Sequence, residues 1–260
     1  MKITILGARG SVPTNGKDTM EFGGATSCVL VETDEEAVFL DAGTGITRSP
    51  DIDSRHISVL ITHPHLDHLI GMPFFPYCNE KGRQIDIYGR QRGGENVEEQ
   101  FGRLISPPLW PCTLSDLSCD ISFKEFPESF TIGDLTVEAI ESVHPGGSLV
   151  IRITHDGKSV VYATDYEYME DSCQSLIDFA KDTDLLLLDA QYTHEEALTR
   201  KGYGHSTVDN AAEIVKKAHA RRARFVHHDP RHTDEMLRDM EKPVKSDIAA
   251  FAREGEVITL

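Results

Sequence analysis

Short apolar segments separated by glycine-containing turns recur along the whole chain, and helix-like segments lie between them. Short apolar or alternating runs bounded by turn residues predict strands, and apolar positions at helical spacing predict amphipathic helices. The predicted strands are Ile3–Leu6, Ser27–Glu32, Val38–Leu40, Ile57–Ile61, Ile85–Tyr88, Ile121–Glu125, Leu135–Ser142, Leu149–Thr154, Ser159–Ala163, Leu185–Leu188, Arg224–Val226 and Glu256–Thr259. The predicted helices are Asn96–Leu104, Ser172–Lys181, Ser206–Ala218, Thr233–Glu241 and Ser246–Arg253. Strands outnumber helices and both are spread along the chain, which predicts a layered α/β protein with mixed sheets.

Four potential metal ligands follow the predicted strand Ile57–Ile61 within the segment His63-Pro64-His65-Leu66-Asp67-His68. Side chains at positions i and i+2 of an extended backbone lie on the same side. His63 and His65 can therefore converge on one ion, while the last two residues of the segment can face a second ion. Imidazole and carboxylate ligands suit Zn²⁺, with Mn²⁺ or Fe as alternatives, and the lack of a nearby Cys argues against a closed structural zinc site.

Composition and charge limit the domain organisation and the partners. A chain of 260 residues with 39% hydrophobic residues can bury one substantial core, so we predict a single domain over residues 1–260. The formal net charge is −17, and a net-negative protein repels polyanions at long range. Long nucleic acid is therefore disfavoured as a substrate.

The predicted location is the cytoplasm. No apolar run is long enough for a membrane-spanning helix, and the apolar start of the chain breaks at Gly7, too early for a signal peptide. The five cysteines are odd in number and form no C-x-x-C pair, which is typical of reduced thiols in a cytosol.

Later segments extend the pattern in a fixed order. An isolated histidine lies in Ser142-Val143-His144-Pro145, and a carboxylate follows a strand in Tyr162-Ala163-Thr164-Asp165. A helix opens at Gly204-His205-Ser206-Thr207, and another strand ends on histidine in Phe225–Arg231. With the first cluster, these segments make the chain resemble the metallo-β-lactamase-fold hydrolase superfamily, and within it the RNase Z and phosphodiesterase branch. The resemblance implies a four-layer αββα sandwich, with two face-to-face sheets, outer helices and metal ions at one edge.

The resemblance also implies a ligand set for two divalent cations. The implied ligands are His63, His65 and His144 for one ion, Asp67, His68 and His228 for the other, and Asp165 as a bridge between both. Taken without the resemblance, His144 is a lone histidine and Asp165 can cap a turn. We choose His228 because it precedes Asp229-Pro230-Arg231, much as the family's histidine precedes its own turn with arginine. His227 is the alternative.

Two residues carry predicted catalytic roles. Asp67 would orient a hydroxide shared between the two ions or accept its proton. His205 would protonate the departing alkoxide or stabilise the transition state, and a structural role at a helix start is its alternative. Asp41 and Asp189 end strands, where a carboxylate either orients a ligating histidine or only forms a turn. Asp189 departs from the usual RNase Z pattern, which leaves its role open.

The predicted function is hydrolysis of a small phosphodiester, such as a cyclic nucleotide, a short oligonucleotide or a sugar phosphodiester. The resemblance to RNase Z itself points to a small substrate, because only about twenty residues separate His144 from Asp165, too few for the long arm with which RNase Z binds tRNA. Thioester or lactone hydrolysis and a catalytically silent metal-binding protein are the alternatives, since a fold does not fix a reaction. The sequence leaves a homodimer open.

Two further segments have more than one interpretation. The loop Ser106–Pro111 contains Trp110, the one tryptophan of the chain, among three prolines. Its indole either plugs the core or forms a cleft wall that stacks on a base, and we expect the second. The basic segment Lys216–Arg224 follows a predicted helix, where cations complement the helix dipole; phosphate binding is the alternative.

Overall fold

The computed structural model describes residues 1–53 and 56–260. The strands are Lys2–Gly7 (β1), Cys28–Glu32 (β2), Glu36–Leu40 (β3), His56–Leu60 (β4), Gln84–Gly89 (β5), Asp120–Glu125 (β6), Ser129–Ile132 (β7), Leu135–Ser142 (β8), Ser148–His155 (β9), Lys158–Ala163 (β10), Leu185–Asp189 (β11), Ala223–Val226 (β12), Ala249–Phe251 (β13) and Val257–Thr259 (β14). The α-helices are Leu66–Leu69 (α1), Val97–Leu104 (α2), Cys173–Phe179 (α3), His194–Ala197 (α4), Val208–Lys217 (α5) and Asp234–Glu241 (α6). Short 3-10 helices lie in the connections.

Two seven-stranded sheets repeat one pattern of pairing. The first sheet has the order β14-β1-β2-β3-β4-β5-β6, and the second has the order β13-β12-β11-β10-β9-β8-β7. In the first sheet the strands from β14 to β3 pair antiparallel and those from β3 to β6 pair parallel. In the second sheet the strands from β7 to β10 pair antiparallel and those from β10 to β13 pair parallel.

Alternation along the strands divides the core into three layers. Residues such as Val29, Ile151 and Leu187 lie between the two sheets, and their neighbours along each strand face outward because successive side chains point to opposite faces. Phe39 and Phe101 of α2 belong to the outer cluster on the first sheet. Helices α3, α5 and α6 cover the second sheet. This arrangement confirms the predicted four-layer αββα sandwich.

The observed elements correct the sequence prediction in one place. The helix predicted over Ser246–Arg253 is wrong, because Ala249–Phe251 forms β13 and pairs parallel with β12. Phe251 packs its ring against Phe22 and Phe225. The sequence pattern does not predict β7 or α4. The remaining predicted strands and helices agree with the structure to within two residues at each end.

The carboxyl ends of the parallel strands meet at one edge of the sandwich. Strands β3 and β4 of the first sheet end there, as do β10, β11 and β12 of the second, and β8, which runs in the same direction as β10, ends there too. The loops after β4, β8, β10 and β12 carry the predicted ligands. Ligands commonly bind beyond the carboxyl ends of parallel strands. Within the described ranges, no helix has both the length and the apolar character to cross a membrane.

Candidate metal centre

The structure brings together six of the seven predicted ligands at this edge. The seventh position is taken by a neighbouring histidine. Glu196, Asp229 and His232 form a separate group of potential ligands, and His205 also lies close enough to Asp165 and His227 to share an ion with them. The residues at the predicted site that lie close enough to share metal ions with one another are His63, His65, Asp67, His68, His144, Asp165 and His227. They form two groups that meet at Asp165.

The first group consists of His63, His65, His144 and Asp165, whose candidate ligand atoms lie within 4.8 Å of one another. His144 Nε2 lies 3.1 Å from His65 Nδ1. Asp165 Oδ1 lies 3.6 Å from His63 Nε2 and 3.7 Å from His144 Nε2. Three ring nitrogens and one carboxylate oxygen therefore converge on one point, as the ligands of a zinc ion do.

The second group consists of Asp67, His68 and His227. Asp67 Oδ2 lies 3.2 Å from His227 Nε2 and 3.3 Å from His68 Nε2. Asp165 reaches this group with its other oxygen, because Oδ2 lies 3.1 Å from His68 Nε2 and 3.3 Å from His227 Nε2. The two oxygens of Asp165 thus face different groups, which is the arrangement required of a carboxylate that bridges two ions.

The structure does not bring the predicted ligand His228 to the cluster. His228 Nε2 donates a hydrogen bond to the carbonyl oxygen of Ala252 at 2.9 Å, and its ring packs edge-on against Phe22. Burial and the nearby Arg9 guanidinium lower the pKa of His228 to about 3. His227 instead leaves β12 with a left-handed backbone (φ 63°), and this turns its ring toward the cluster.

Hydrogen bonds hold the far sides of the histidine rings. His68 Nδ1 donates to Asp41 Oδ2 at 2.7 Å, and His227 Nδ1 lies 3.0 Å from Gln191 Oε1. His144 Nδ1 donates to the carbonyl oxygen of Gly204 at 3.0 Å. Such bonds fix the ring orientation and leave the other nitrogen free for a metal. The orienting role considered for Asp41 is therefore the one that its contacts support.

Glycine is required where the backbone approaches these rings. Gly204 has φ +89°, and a Cβ atom there would lie 2.0 Å from His144 Nδ1. A Cβ atom at Gly10 would lie 2.3 Å from His227 Nδ1. Any side chain at either position would displace a ring of the cluster.

The charges of the cluster match the needs of divalent cations. Burial lowers the pKa of His63, His65 and His144, which keeps these rings neutral. Burial alone would lower the pKa of His227 too, but Asp165 and the hydrogen bond to Asp67 raise it to about 9. The carboxylates therefore favour positive charge at the second group, and a divalent cation would supply that charge.

Unpartnered buried atoms show that the donor set fits metal ions. His63 Nε2 and His68 Nε2 are buried and neither makes a well-aligned hydrogen bond to a described residue, although Asp165 Oδ2 lies 3.1 Å from His68 Nε2. Leaving a buried polar atom unpaired costs about 1–3 kcal/mol. These two nitrogens lie where neighbouring carboxylate and imidazole groups converge, so a metal ion there would give each of them a partner. Neutral imidazole nitrogens are ligands that Zn²⁺ prefers.

His205 lies beside the second group but is held by a separate carboxylate. His205 Nδ1 donates to Asp189 Oδ2 at 2.7 Å, and the His205 ring stacks on His227 with 4.7 Å between centroids. Asp189 is fully buried, and its Oδ1 accepts the backbone N–H groups of Gln191 and Ser206. The ring of His205 is therefore fixed, with its Nε2 left to act on a ligand.

Two cavities adjoin the cluster. A cavity of about 520 Å³ is lined by His205, Tyr168, Leu198 and Arg200 among others. A second cavity of about 260 Å³ is lined by His63, His65, Arg92 and Gly147 among others. The His144 ring lies between their histidines, with 4.9 Å from its centroid to that of His65 and 5.4 Å to that of His205.

The remaining sequence candidates lie away from the cluster. Trp110 packs against the outer core of the first sheet and contacts Phe74, with 5.3 Å between ring centroids, and it lines neither of these two cavities. These contacts favour the core interpretation over the predicted cleft wall. His232 bonds Glu196, so its contact belongs to α4. Lys217 pairs with Glu213 at the end of α5, as expected for a structural role.

Sequence patterns do not predict several residues that form hydrogen bonds to the candidate ligands. Gln191 holds His227, Thr62 Oγ1 lies 3.1 Å from His63 Nδ1, and the Ser11 N–H donates to Asp67 at 2.7 Å. Thr62 and Gln191 lie next to strand ends that carry ligands, and this proximity is the one signal that could have indicated them. Ser11 lies 56 residues from Asp67, so no local pattern connects the two.

Comparisons with known proteins show which family the chain belongs to. Residues 36–228 match the family model described as "Beta-lactamase superfamily domain". The probable metallo-hydrolase YhfI of Bacillus subtilis is 25% identical over 234 residues, which cover 85% of this chain and 84% of that protein. Ribonuclease Z of Haloferax volcanii is 25% identical over 277 residues, which cover 87% of this chain and 84% of that protein.

Solved structures share the fold over the whole chain. The crystal structure of YhfI from Bacillus subtilis superposes with a TM-score of 0.76 at 22% identity and covers 99% of both chains. A diphosphatase from the PhnP family superposes with a TM-score of 0.73 at 18% identity and covers 100% of this chain and 97% of that one. Because the family model matches most of the sequence, the chain belongs to the β-lactamase superfamily domain family and is a metal-dependent hydrolase of the metallo-β-lactamase fold.

Proposed function

We propose that the protein is a phosphodiesterase with two divalent cations, Zn²⁺ foremost, that acts on small phosphodiesters. Cyclic nucleotides, short oligonucleotides and sugar phosphodiesters belong to this class. The observation that carries the proposal is the His205–Asp189 pair, which places a fixed imidazole between the ligand cluster and an open cavity. A diester needs such a proton donor because its leaving group is an alkoxide.

The two groups that meet at Asp165 would each hold one ion. His63, His65 and His144 would hold the first, and the second would be held by Asp67, His68 and His227. Two cations in such a site supply a nucleophilic hydroxide near neutral pH and stabilise the oxygens of a phosphoryl group during in-line displacement.

Asp67 would act on the attacking water. Its Oδ2 accepts the Ser11 N–H at 2.7 Å and lies 3.2 Å from His227 Nε2. Burial alone would raise the pKa of the Asp67 carboxyl, but His68 and His227 hold it below the ordinary range, so the group stays ionised. An ionised, fixed carboxylate can orient a water molecule or accept its proton.

His205 would serve the leaving group. Its Nδ1–H is bound to Asp189, so the proton to be transferred would lie on Nε2. Asp189 acts as a positioning residue, because its two oxygens hold both the ring and the backbone at Ser206. General acid catalysis of this kind contributes about 10²- to 10⁴-fold to a rate.

Charge and chain length support a small substrate. The net charge of −17 opposes binding of a long polyanion. Strands β9 and β10 are joined by the tight turn at Asp156 and Gly157, so this part of the chain carries no inserted arm. The relatives named ribonuclease Z make precursor tRNA the appropriate competing substrate for a test.

A substrate panel tests the proposal. The protein is loaded with Zn²⁺ or Mn²⁺ and assayed with bis(p-nitrophenyl) phosphate, cyclic nucleotides, a precursor tRNA, a thioester and a lactone. We expect turnover of the small diesters and little turnover of the others. Preferred cleavage of the thioester or the lactone would contradict the reaction class, and preferred cleavage of the precursor tRNA would contradict the substrate size.

Replacement of His205 tests the proton donor. His205→Ala should retain both metal ions yet lower kcat on the order of 10²–10⁴-fold for a diester with an alkoxide leaving group. The loss should be smaller for p-nitrophenolate, which needs little protonation when it departs. Equal losses on both leaving groups would assign His205 to charge stabilisation, and no loss on either would contradict the phosphodiesterase proposal.

A further inference from the structure

We propose that the cavity beside His63 and His65 is an anion subsite, in which Arg92 binds a second anionic group on the retained part of the substrate. The inference rests on the proposed function and adds the substrate class: a diester that carries a further phosphate or carboxylate away from its leaving group. The cavity measures about 260 Å³ and also contains Gly147 and Gln100.

Arg92 is fixed next to the metal ligands. Its guanidinium packs on the backbone of Gly147, where a Cβ atom would lie 2.9 Å from Arg92 Cζ. The Gly147 N–H donates to the carbonyl oxygen of His144 at 2.9 Å, so the arginine lies against the turn that carries a ligand. Gln100 secures the other side of the loop by donating to the carbonyl oxygens of Arg90 and Glu95.

The guanidinium keeps a donor free for a ligand. Arg92 Nη2 donates to both oxygens of Glu141, at 2.8 and 3.0 Å. Arg92 Nε is buried and has no hydrogen-bond partner among the described residues. Because the buried Nε is out of reach from the cavity, the donor available to an anion there is Nη1, for which no described residue supplies an acceptor.

The local charge favours an anion. Arg90 Nη1 also binds Glu141, at 2.6 Å, so two guanidinium groups share one carboxylate. One positive charge is left over at this point, in a chain whose net charge is −17. Arginine is well suited to bind phosphate or carboxylate because its planar fork matches their geometry.

The cavity beside His205 has an acidic and partly apolar lining, so the two cavities would receive different parts of the substrate. It is lined by Glu167, Glu170 and Asp171, against Arg200 and Lys201, and Arg200 already pairs with Glu196. Its apolar lining includes Met169 and Leu198. An uncharged leaving group therefore fits beside His205, and the anionic retained group fits beside Arg92.

Two matched substrates test the subsite. The p-nitrophenyl ester of thymidine 5′-phosphate is compared with the same ester carrying a 3′-phosphate, so that the leaving group is identical. We expect the 3′-phosphate to raise kcat/KM on the order of tenfold, as one charge-assisted hydrogen bond would do. Inorganic phosphate added to the first ester should not reproduce the gain; if it does, the site binds a free anion and the proposal is wrong.

Variants separate the subsite from a structural role. Arg92→Gln should abolish the preference for the 3′-phosphate, and Arg92→Lys should keep part of it. Glu141→Gln should increase the preference, because it removes the competing carboxylate. Arg238→Gln removes one positive charge on α6, where Arg238 pairs with Glu21, and should leave the preference as it is. A preference that survives Arg92→Gln would overturn the assignment.

Equilibrium binding gives a readout that does not depend on turnover. Thymidine 3′,5′-bisphosphate should bind the zinc-loaded protein on the order of tenfold more tightly than thymidine 5′-phosphate, and Arg92→Gln should remove the difference. If this difference is present while no diester is hydrolysed, the proposed function fails and the subsite stands. If both ligands bind equally well to the unsubstituted protein, the subsite is wrong.

Discussion

Three residues of the metal centre adopt a left-handed backbone. Asp41, Asp165 and His227 follow strands β3, β10 and β12 directly or within two residues, and their φ values are 63°, 53° and 63°. This conformation is uncommon outside glycine and costs about 1–3 kcal/mol per residue. Such strain persists where the surrounding structure fixes it, and here it aims the side chains from both sheets at a common point.

The neighbouring histidines His227 and His228 provide a matched pair for a mutational test. His227→Ala should reduce the bound zinc from two ions to one per chain, because the second group loses a ligand. His228→Ala should keep two ions but lower the free energy of unfolding by about 2–4 kcal/mol, since it leaves a cavity against Phe22. Elemental analysis and chemical denaturation measure these effects. If His228→Ala lost an ion and His227→Ala did not, His228 would be the ligand instead of His227.

The sequence could indicate this candidate site but not which of His227 and His228 belongs to it. The ligands from His63 to His68 lie within six consecutive residues, so their spacing in the sequence is enough to predict that they converge. His227 and His228 are adjacent and equally able to bind a metal. The deciding factor is the left-handed turn at His227, which depends on packing against residues far along the chain, such as Gly10. The hydrogen bond from the Ser11 N–H to Asp67 and the one that Gln191 Oε1 accepts from His227 depend on tertiary structure in the same way.

Elements with a complete strand or helix pattern were predictable, and those set by tertiary pairing were not. The two alanines of β13 have a high helix propensity. This segment nevertheless pairs with β12 at the edge of the second sheet, where Phe251 packs against Phe22 and Phe225. Strand β7 is four residues long, and two of them are polar. A pattern that short cannot be distinguished from a loop without its partner β8.

Glu241 joins the end of α6 to β13, and its carboxylate is predicted to stabilise that junction. Its Oε1 accepts the Phe251 N–H at 3.0 Å, and both of its oxygens bind Arg253 at 3.2 Å. Burial alone would raise the pKa of the Glu241 carboxyl, but Arg253 and the Phe251 N–H outweigh burial and lower it from its ordinary value of 4.5. Glu241→Gln should lower the free energy of unfolding at pH 7 by about 1.5–3 kcal/mol.

The pH dependence of that loss follows from the sign of the shift. Because the folded-state pKa lies below the unfolded one, the stabilisation is complete above pH 4.5 and disappears as the pH falls through the folded value. The denaturation curves of the two proteins should therefore differ at pH 7 and converge once the pH falls below the folded-state pKa of Glu241. Glu213→Gln is the control, because its pair with Lys217 is exposed and should contribute less than about 1 kcal/mol. A loss that is the same at every pH would contradict the role of the charge.

At the scale of the whole molecule, the site lies where two similar halves meet. Each half contributes a sheet in which antiparallel strands give way to parallel ones, and the candidate ligands follow the carboxyl ends of parallel strands except for His144, which follows β8. The first half supplies the cluster from His63 to His68, and the second supplies His144, Asp165 and His227. Neither half contains all of the candidate ligands, so binding of metal ions at both groups would depend on the packing of the two sheets.

The number of metal ions per chain tests the central claim most directly. The metal-free protein is reconstituted with Zn²⁺, separated from loosely bound ions by gel filtration, and measured by elemental analysis against protein concentration. The two groups joined by Asp165 predict two zinc ions per chain. A value of one or fewer would contradict the dinuclear site and the phosphodiesterase chemistry proposed for it.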